Sequence, residues 1–277
     1  MGLRINTNEL SLAAQRNLEQ TERRMHSVVE RLASGSRITK ASDDPAGLSI
    51  SDSLNAQVRS LGQAIRNAQD GISLVQVYEG GTNEISNMLV RMRELAMQSA
   101  TDTVGDRERS MIDNEVQHLK MEIDRIAKTT KYASRELLSG EEVRLDFQVG
   151  LNNQDNVDRI TFDPGDTNLT AEGINVDDIS VSEKDGAQNA LGIVDEALTK
   201  VNDIRSRIGS IQGRLNSTQI AQSIFQENLS AARSRIRDAD MAQESANLAR
   251  ESILRQAGVA VLTQANQTPY LALNLLK

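Results

Sequence analysis

The 277-residue chain has no cysteine and no tryptophan, and only three prolines, three tyrosines and three phenylalanines. Without cysteine there is no disulfide, no thiolate nucleophile and no zinc–thiolate site. With so few rings the usual fillers of a thick core are missing, which favours thin helical packing by Leu, Ile, Val, Met and Ala. Basic excess is missing as well. Lys and Arg number 31 against 39 Asp and Glu, a formal charge of −8, and an acidic chain without basic runs repels phosphates, so no nucleic-acid partner is expected. No apolar run approaches the roughly 18 residues of a spanning helix, so no membrane insertion is expected. The start, MGLRINTNELSLAAQRN, is amphipathic and lacks the apolar stretch and small-residue site of a cleaved signal. Any export is expected to use a route without one.

Helical periodicity fills most of what remains. Leu3, Thr7, Leu10, Ala14, Leu18, Thr21, Met25, Val28 and Leu32 recur in steps of three and four, the pattern of a narrow helical seam that needs a partner. Leu54, Val58, Leu61, Ile65, Ala68, Ile72 and Val75 repeat it without a miss, and Ile85, Met88, Met92 and Leu95 resume it after Gly80-Gly81. The glycine pair predicts an interruption or bend. A third helix is expected from about Asp106, with Ile112, Val116, Leu119, Ile123 and Ile126 inward, antiparallel to its predecessor because the connection is short.

The period then changes. Val143, Leu145, Phe147 and Val149 alternate with polar residues, and Ile160 with Phe162 suggests a return strand after the turn residues Gly150 to Asn156. Ile174 to Val181 suggests further short extended pieces. Such an insert is too small to stand alone and should lean on the helices. Ser182 with Asp185 predicts a capping-box start to another long helix, whose seam runs Ile204, Ile208, Ile211, Leu215, Thr218, Gln222, Phe225, Leu229. The tail ends in apolar residues, among them Leu271, Leu273, Leu275 and Leu276, an expected assembly contact. Matched seams at the two ends predict that the terminal helices pair. The expected fold is mainly α, with long antiparallel helical rods, a coiled coil and a small β-hairpin insertion.

Between the first two helices the pattern stops. Gly35 in Ser34-Gly35-Ser36 is a helix-end signal; Asp44 is a candidate N-cap and Pro45 a first helical residue. Arg37, Lys40, Asp43 and Gly47 belong to the same stretch. By spacing alone it is either an ordinary loop or a built joint between two rods.

Chemistry is sparse. His26 and His118 are isolated, and no nucleophile elbow or phosphate-cradling glycine pattern occurs. Carboxylates on long rods read as solvated faces. Asn168, Asn216, Asn228 and Asn266 match the glycosylation sequon, as chance would give in so Asn-rich a chain. No enzyme, metal or cofactor is expected.

Several segments carry a resemblance: LASGSRITKASDDPAGLSIS (32–51), LVRMRELAMQSA (89–100), ARSRIRDADMAQESANLAR (232–250) and ILRQAGVAVLTQANQTPYLALNLL near the end. Together they resemble bacterial flagellin, over both terminal regions. The resemblance implies a secreted subunit of the extracellular flagellar filament, exported unfolded through the flagellar type III channel, with terminal helices that order on assembly. It implies a helical homopolymer, and as partners an export chaperone, the filament cap and hook-junction proteins. Arg91, Leu95 and Glu115 match the family's motif for the host Toll-like flagellin receptor, positions that also pack between subunits. The expected organisation is 1–35 as an inner coiled-coil helix, 36–53 as linker, 54–140 as a rod half, 141–181 as a β-rich insert, 182–240 as the second rod half and 241–277 as the second inner helix. Gly35, Arg37, Asp43, Asp44, Pro45 and Gly47 would set the linker's geometry, with Arg37 and Lys40 as candidate contacts between subunits. A hook-associated junction protein of the same family is the alternative reading.

Overall fold

The computed structural model describes residues 8–140, 144–162 and 168–274. Five helices are present among them: α1 (Glu9–Ser34), α2 (Pro45–Ser99), α3 (Asp106–Thr129), α4 (Lys184–Arg237) and α5 (Met241–Asn274). Four short strands form two antiparallel hairpins, β1 (Lys131–Tyr132) with β2 (Arg135–Glu136) and β3 (Leu145–Gln148) with β4 (Arg159–Phe162). The chain divides into two compact units, residues 59–226 and residues 1–58 with 227–277.

In the 59–226 unit the seam positions are buried. Val75, Ile85, Leu89 and Met92 of α2, Val116 and Ile123 of α3, and Val194, Val201, Ile208 and Leu215 of α4 share one core. The β3–β4 hairpin leans on that core as anticipated. Ile160 and Phe162 are buried, Phe162 meets Tyr78 edge-on at 5.6 Å, and the Asn67 amide donates to the Gln148 carbonyl at 2.9 Å.

Several expectations need correction. The pair Gly80-Gly81 does not interrupt α2. A Cβ on Gly81 would lie 2.7 Å from Leu138 Cδ1, so the glycine is there for close approach of the β1–β2 segment. That hairpin falls within the stretch expected to be purely helical. Residues 174–181 form turns rather than strands; carboxylates and a lysine of α3 take their backbone groups instead. Asp113 accepts from the Val181 amide at 2.7 Å, Asp124 from the Ala171 amide at 2.8 Å, and Lys120 Nζ donates to the Ile179 carbonyl at 3.0 Å. Ser182 does not cap α4, which begins at Lys184; its hydroxyl pairs with that of Ser180. Phe225, expected in the α4 seam, is 45% exposed.

In the other unit α1 packs along α5, as the matched seams predict, and it buries positions of the expected seam with one departure, Ser11 in place of Leu10. Ser11, Ala14, Thr21 and Val28 are buried, while Leu10 is 58% exposed. Leu3 and Thr7 of the expected seam lie outside the described residues.

Candidate assembly interface: the joint and the paired terminal helices

The joint begins where Gly35, at φ 67°, closes α1 in the left-handed conformation. It ends at Asp44, with Pro45 as the expected first helical residue, short of the 36–53 range expected for the linker. Helix α2 starts at Pro45, so residues 45–53 are helical and only Gly35 to Asp44 is not. The Asp44 carboxylate caps α2 by accepting from the Gly47 amide at 2.9 Å. Gly47 is required there, because a Cβ would collide with that carboxylate and lie 2.9 Å from Ile38 Cδ1.

The segment is a hydrogen-bonded structure rather than a slack loop. Ser36 bridges antiparallel to Asp238, the Arg37 amide donates to the Arg237 carbonyl at 2.6 Å, and the Ala239 amide donates to the Gly35 carbonyl at 2.9 Å. The outgoing and returning chains are therefore tied together. The Arg37 guanidinium donates to the Ile236 carbonyl at 2.8 Å, supplying a cation where α4 ends. Ile38 is 2% exposed. Asp43 Oδ2 accepts from the Thr39 and Lys40 amides and the Thr39 hydroxyl; these bonds, the Lys40 amide first, hold its carboxyl below the ordinary value. Lys40 pairs with Glu30 at 2.8 Å, which raises its pKa. Thus Arg37 and Lys40, expected as contacts between subunits, are both engaged within the chain.

The α1–α5 pair presents an unusual surface. Its buried positions mix Ala14, Val28 and Ala265 with Ser11, Thr21, Glu244 and Glu251, while other large apolar side chains are exposed. Leu12 and Val29 on α1, and Ile253, Leu254, Val259 and Val261 on α5, are 44–65% exposed. Leu271 and Leu273 continue the backbone of α5, but their side chains, like Leu275 and Leu276 entirely, lie outside the described residues.

The other candidates sit in the 59–226 unit. Arg91 pairs with Glu115 at 2.8 Å and with Glu94 at 3.0 Å, bridging α2 to α3; Arg91 and Glu115 are about half exposed. Leu95 is 2% exposed and belongs to the core beneath. Sequence reasoning missed the carboxylates of Asp113 and Asp124 and the capping role of Arg37, since each acts on backbone far away along the chain. Among the described residues no three His, Asp or Glu gather as metal ligands, and no helix is long and apolar enough to cross a membrane.

Long antiparallel helices, a tied joint and outward apolar faces on paired terminal helices define a structural protein of the coiled-coil class. Residues 5–142 match the bacterial flagellin N-terminal helical region, and residues 191–276 match the C-terminal helical region. The chain belongs to the bacterial flagellin family. It is 40% identical over 277 residues to flagellin of Halalkalibacterium halodurans, and 39% identical over 287 residues to a flagellar filament core protein of Brachyspira hyodysenteriae, with 99% of each chain covered in both cases. The crystal structure of Bacillus cereus flagellin aligns with a TM-score of 0.50 at 26% identity, covering 57% of this chain and 88% of that one. A structure named for a flagellar hook-associated protein of Vibrio parahaemolyticus shares the fold alone, with a TM-score of 0.58 at 16% identity, over 71% of this chain and 100% of that one.

Proposed function

We propose that this chain polymerises into the bacterial flagellar filament and serves swimming motility as its structural subunit. The observation that carries the reading is the outward apolar face of the α1–α5 pair. A soluble monomer gains nothing by presenting Ile253, Leu254, Val259 and Val261 to water, whereas packing against neighbouring copies removes them from it. Ordering the terminal helices costs conformational entropy, and burial between subunits offsets that cost, so folding of the ends and assembly are one coupled step. The chain reaches its extracellular site unfolded through the flagellar export channel, with a chaperone on the C-terminal region before export and the cap at the growing tip.

Within the filament, residues 1–35 and 241–277 form the inner layer, and the tied joint around Gly35, Asp43, Asp44, Pro45 and Gly47 sets the angle to the outer rod. The half-exposed Arg91–Glu115 pair is the surface offered to a neighbouring subunit or to the innate receptor, with Leu95 supporting it from below. The test is seeded polymerisation followed by electron microscopy. The full chain should elongate into micrometre filaments, and a chain lacking Leu271 to Lys277 should stay monomeric. A hook-associated junction protein would not elongate, and that outcome would overturn the reading.

A further inference from the structure

We infer that two arginines of α1 and two buried glutamates of α5 dictate which helix pairs with which, and in what register. On α5 the low-exposure positions Glu244, Glu251 and Ala265 are spaced by multiples of seven, with the half-buried Gly258 completing the column. Position by position, α1 answers in the opposite direction. Arg31 Nη1 lies 3.5 Å from Glu244 Oε1, and Arg24 Nε lies 3.7 Å from Glu251 Oε1. Gly258 sits where a Cβ would be 3.3 Å from Leu18 Cδ1. The Ala265 carbonyl accepts from Asn8 Nδ2 at 2.8 Å, and the Ser11 hydroxyl donates to Asn266 Oδ1 at 2.8 Å.

The apolar side chains alone do not supply this choice, because Leu18, Met25 and Leu32 of α1 and Leu248 and Leu262 of α5 are half-buried at repeating positions, while Leu12, Ile253 and Val261 face outward. An apolar stripe also tolerates a slip of one heptad, whereas a charge inside a seam does not. Slipping α5 by seven residues would bring Glu244 to Arg24 and leave Glu251 opposite Asn17, a carboxylate only 9% exposed without its cation. Pairing α1 with another α1 would oppose arginines, and pairing two α5 helices would oppose glutamates. The ladder is not tuned for strength. Arg31 Nε and Glu251 Oε2 are buried without a hydrogen-bond partner, which suits a device that trades stability for specificity. In a chain that lays two apolar-faced helices among many copies of themselves, such a selector keeps collapse from choosing the wrong partner.

The proposal deepens the assembly reading and rests on it. Because the chain has no cysteine, Leu18→Cys with Gly258→Cys places a thiol pair at the middle of the seam. A short bis-thiol crosslinker then reports register in the full chain after seeding, when the terminal helices are ordered. The parent pair should link efficiently. Arg24→Glu with Arg31→Glu should lower the yield at least ten-fold, as should Glu244→Arg with Glu251→Arg, and all four reversals together should restore at least half of it. Pelleting after seeding should follow the same order. An undiminished yield in either double reversal, failure of the fourfold chain to recover, or no link in a parent that pellets would overturn the proposal. Failure of the parent to pellet would overturn the assembly reading instead. Melting of the 59–226 unit, which contains none of these residues, checks that each variant is folded.

Discussion

Arg109 Nε donates to the carbonyl of Ser99 at 3.0 Å, across the turn that reverses the chain between α2 and α3. Its Nη2 donates to the Thr101 carbonyl and its Nη1 to Asp106, both at 3.0 Å, while the residue is only 8% exposed. A guanidinium thus closes the C-terminus of one helix from the first turn of the next, where α2 carries no basic residue of its own. Arg109→Ala strips the cation from buried carbonyls and should destabilise the 59–226 unit by about 3 kcal/mol. Arg109→Lys should fall between, because an ammonium lacks the fork that reaches two carbonyls. Urea unfolding followed by circular dichroism measures both.

The neighbouring glycines of α2 should respond in opposite directions. Gly80 has nothing within 4 Å of where a Cβ would stand, while the Cβ of Gly81 would meet Leu138 Cδ1 at 2.7 Å and Thr130 Oγ1 at 2.9 Å. Gly80→Ala should raise stability by up to about 1 kcal/mol through helix propensity. Gly81→Ala should lower it by roughly 1–3 kcal/mol, since Leu138 is fully buried and has little room to yield. Thermal melting of the two variants side by side gives the sign of each.

Those two glycines also mark the limit of what the sequence reveals. The helices were legible because their seams repeat locally, and the joint because Gly35 and Asp44-Pro45 are local punctuation. The space beside Gly81 is filled by Leu138, more than fifty residues away, a contact that no period encodes. The β1–β2 turn was equally silent. Ala133 at φ 47° and Ser134 at φ 71° hold a conformation normally announced by Asn-Gly. At the joint, Arg37 finds its carbonyl on Ile236, 199 positions along the chain. Nor does hydrophobic period alone decide that Ser11, and not Leu10, faces α5. Ala14, Thr21 and Val28 fall inside as their period predicts, and the departure is confined to Leu10, 58% exposed beside the buried Ser11.

Acid should weaken the 59–226 unit only at low pH. The Arg93 guanidinium donates to both oxygens of Asp195, at 2.7 and 3.3 Å, and lowers its pKa. Hydrogen bonds from Lys184, Arg125 and Lys131 lower those of Asp102, Glu122 and Glu136. A carboxylate with a depressed folded pKa contributes stability above its unfolded value, 3.8 for Asp and 4.5 for Glu, and loses it as pH falls through the folded one. The melting temperature should therefore be flat from neutrality down to about pH 5 and fall below about pH 4. Asp195→Asn should lie slightly below the parent at neutral pH and converge with it in acid. A decline already under way near pH 6 would contradict the assignment.

At the joint, Asp44 and Gly47 separate capping from packing. Asp44→Ala removes the acceptor for the Gly47 amide and should cost about 1 kcal/mol, the ordinary worth of an N-cap. Gly47→Ala should cost more, roughly 2–3 kcal/mol, because the new Cβ displaces the same carboxylate and also presses on Ile38, which is 2% exposed. Hydrogen exchange at the amides of Arg37 and Ala239 reads the consequence directly. Both bond across to the returning or outgoing chain, and both should lose protection in Gly47→Ala while keeping most of it in Asp44→Ala. Replacing 36–43 with Gly and Ser should remove that protection altogether and, if the joint sets the angle between layers, leave filaments straight or fragile under the microscope. Unchanged filaments from that replacement would reduce the joint to a connector, because its tied geometry would then have no bearing on how subunits stack.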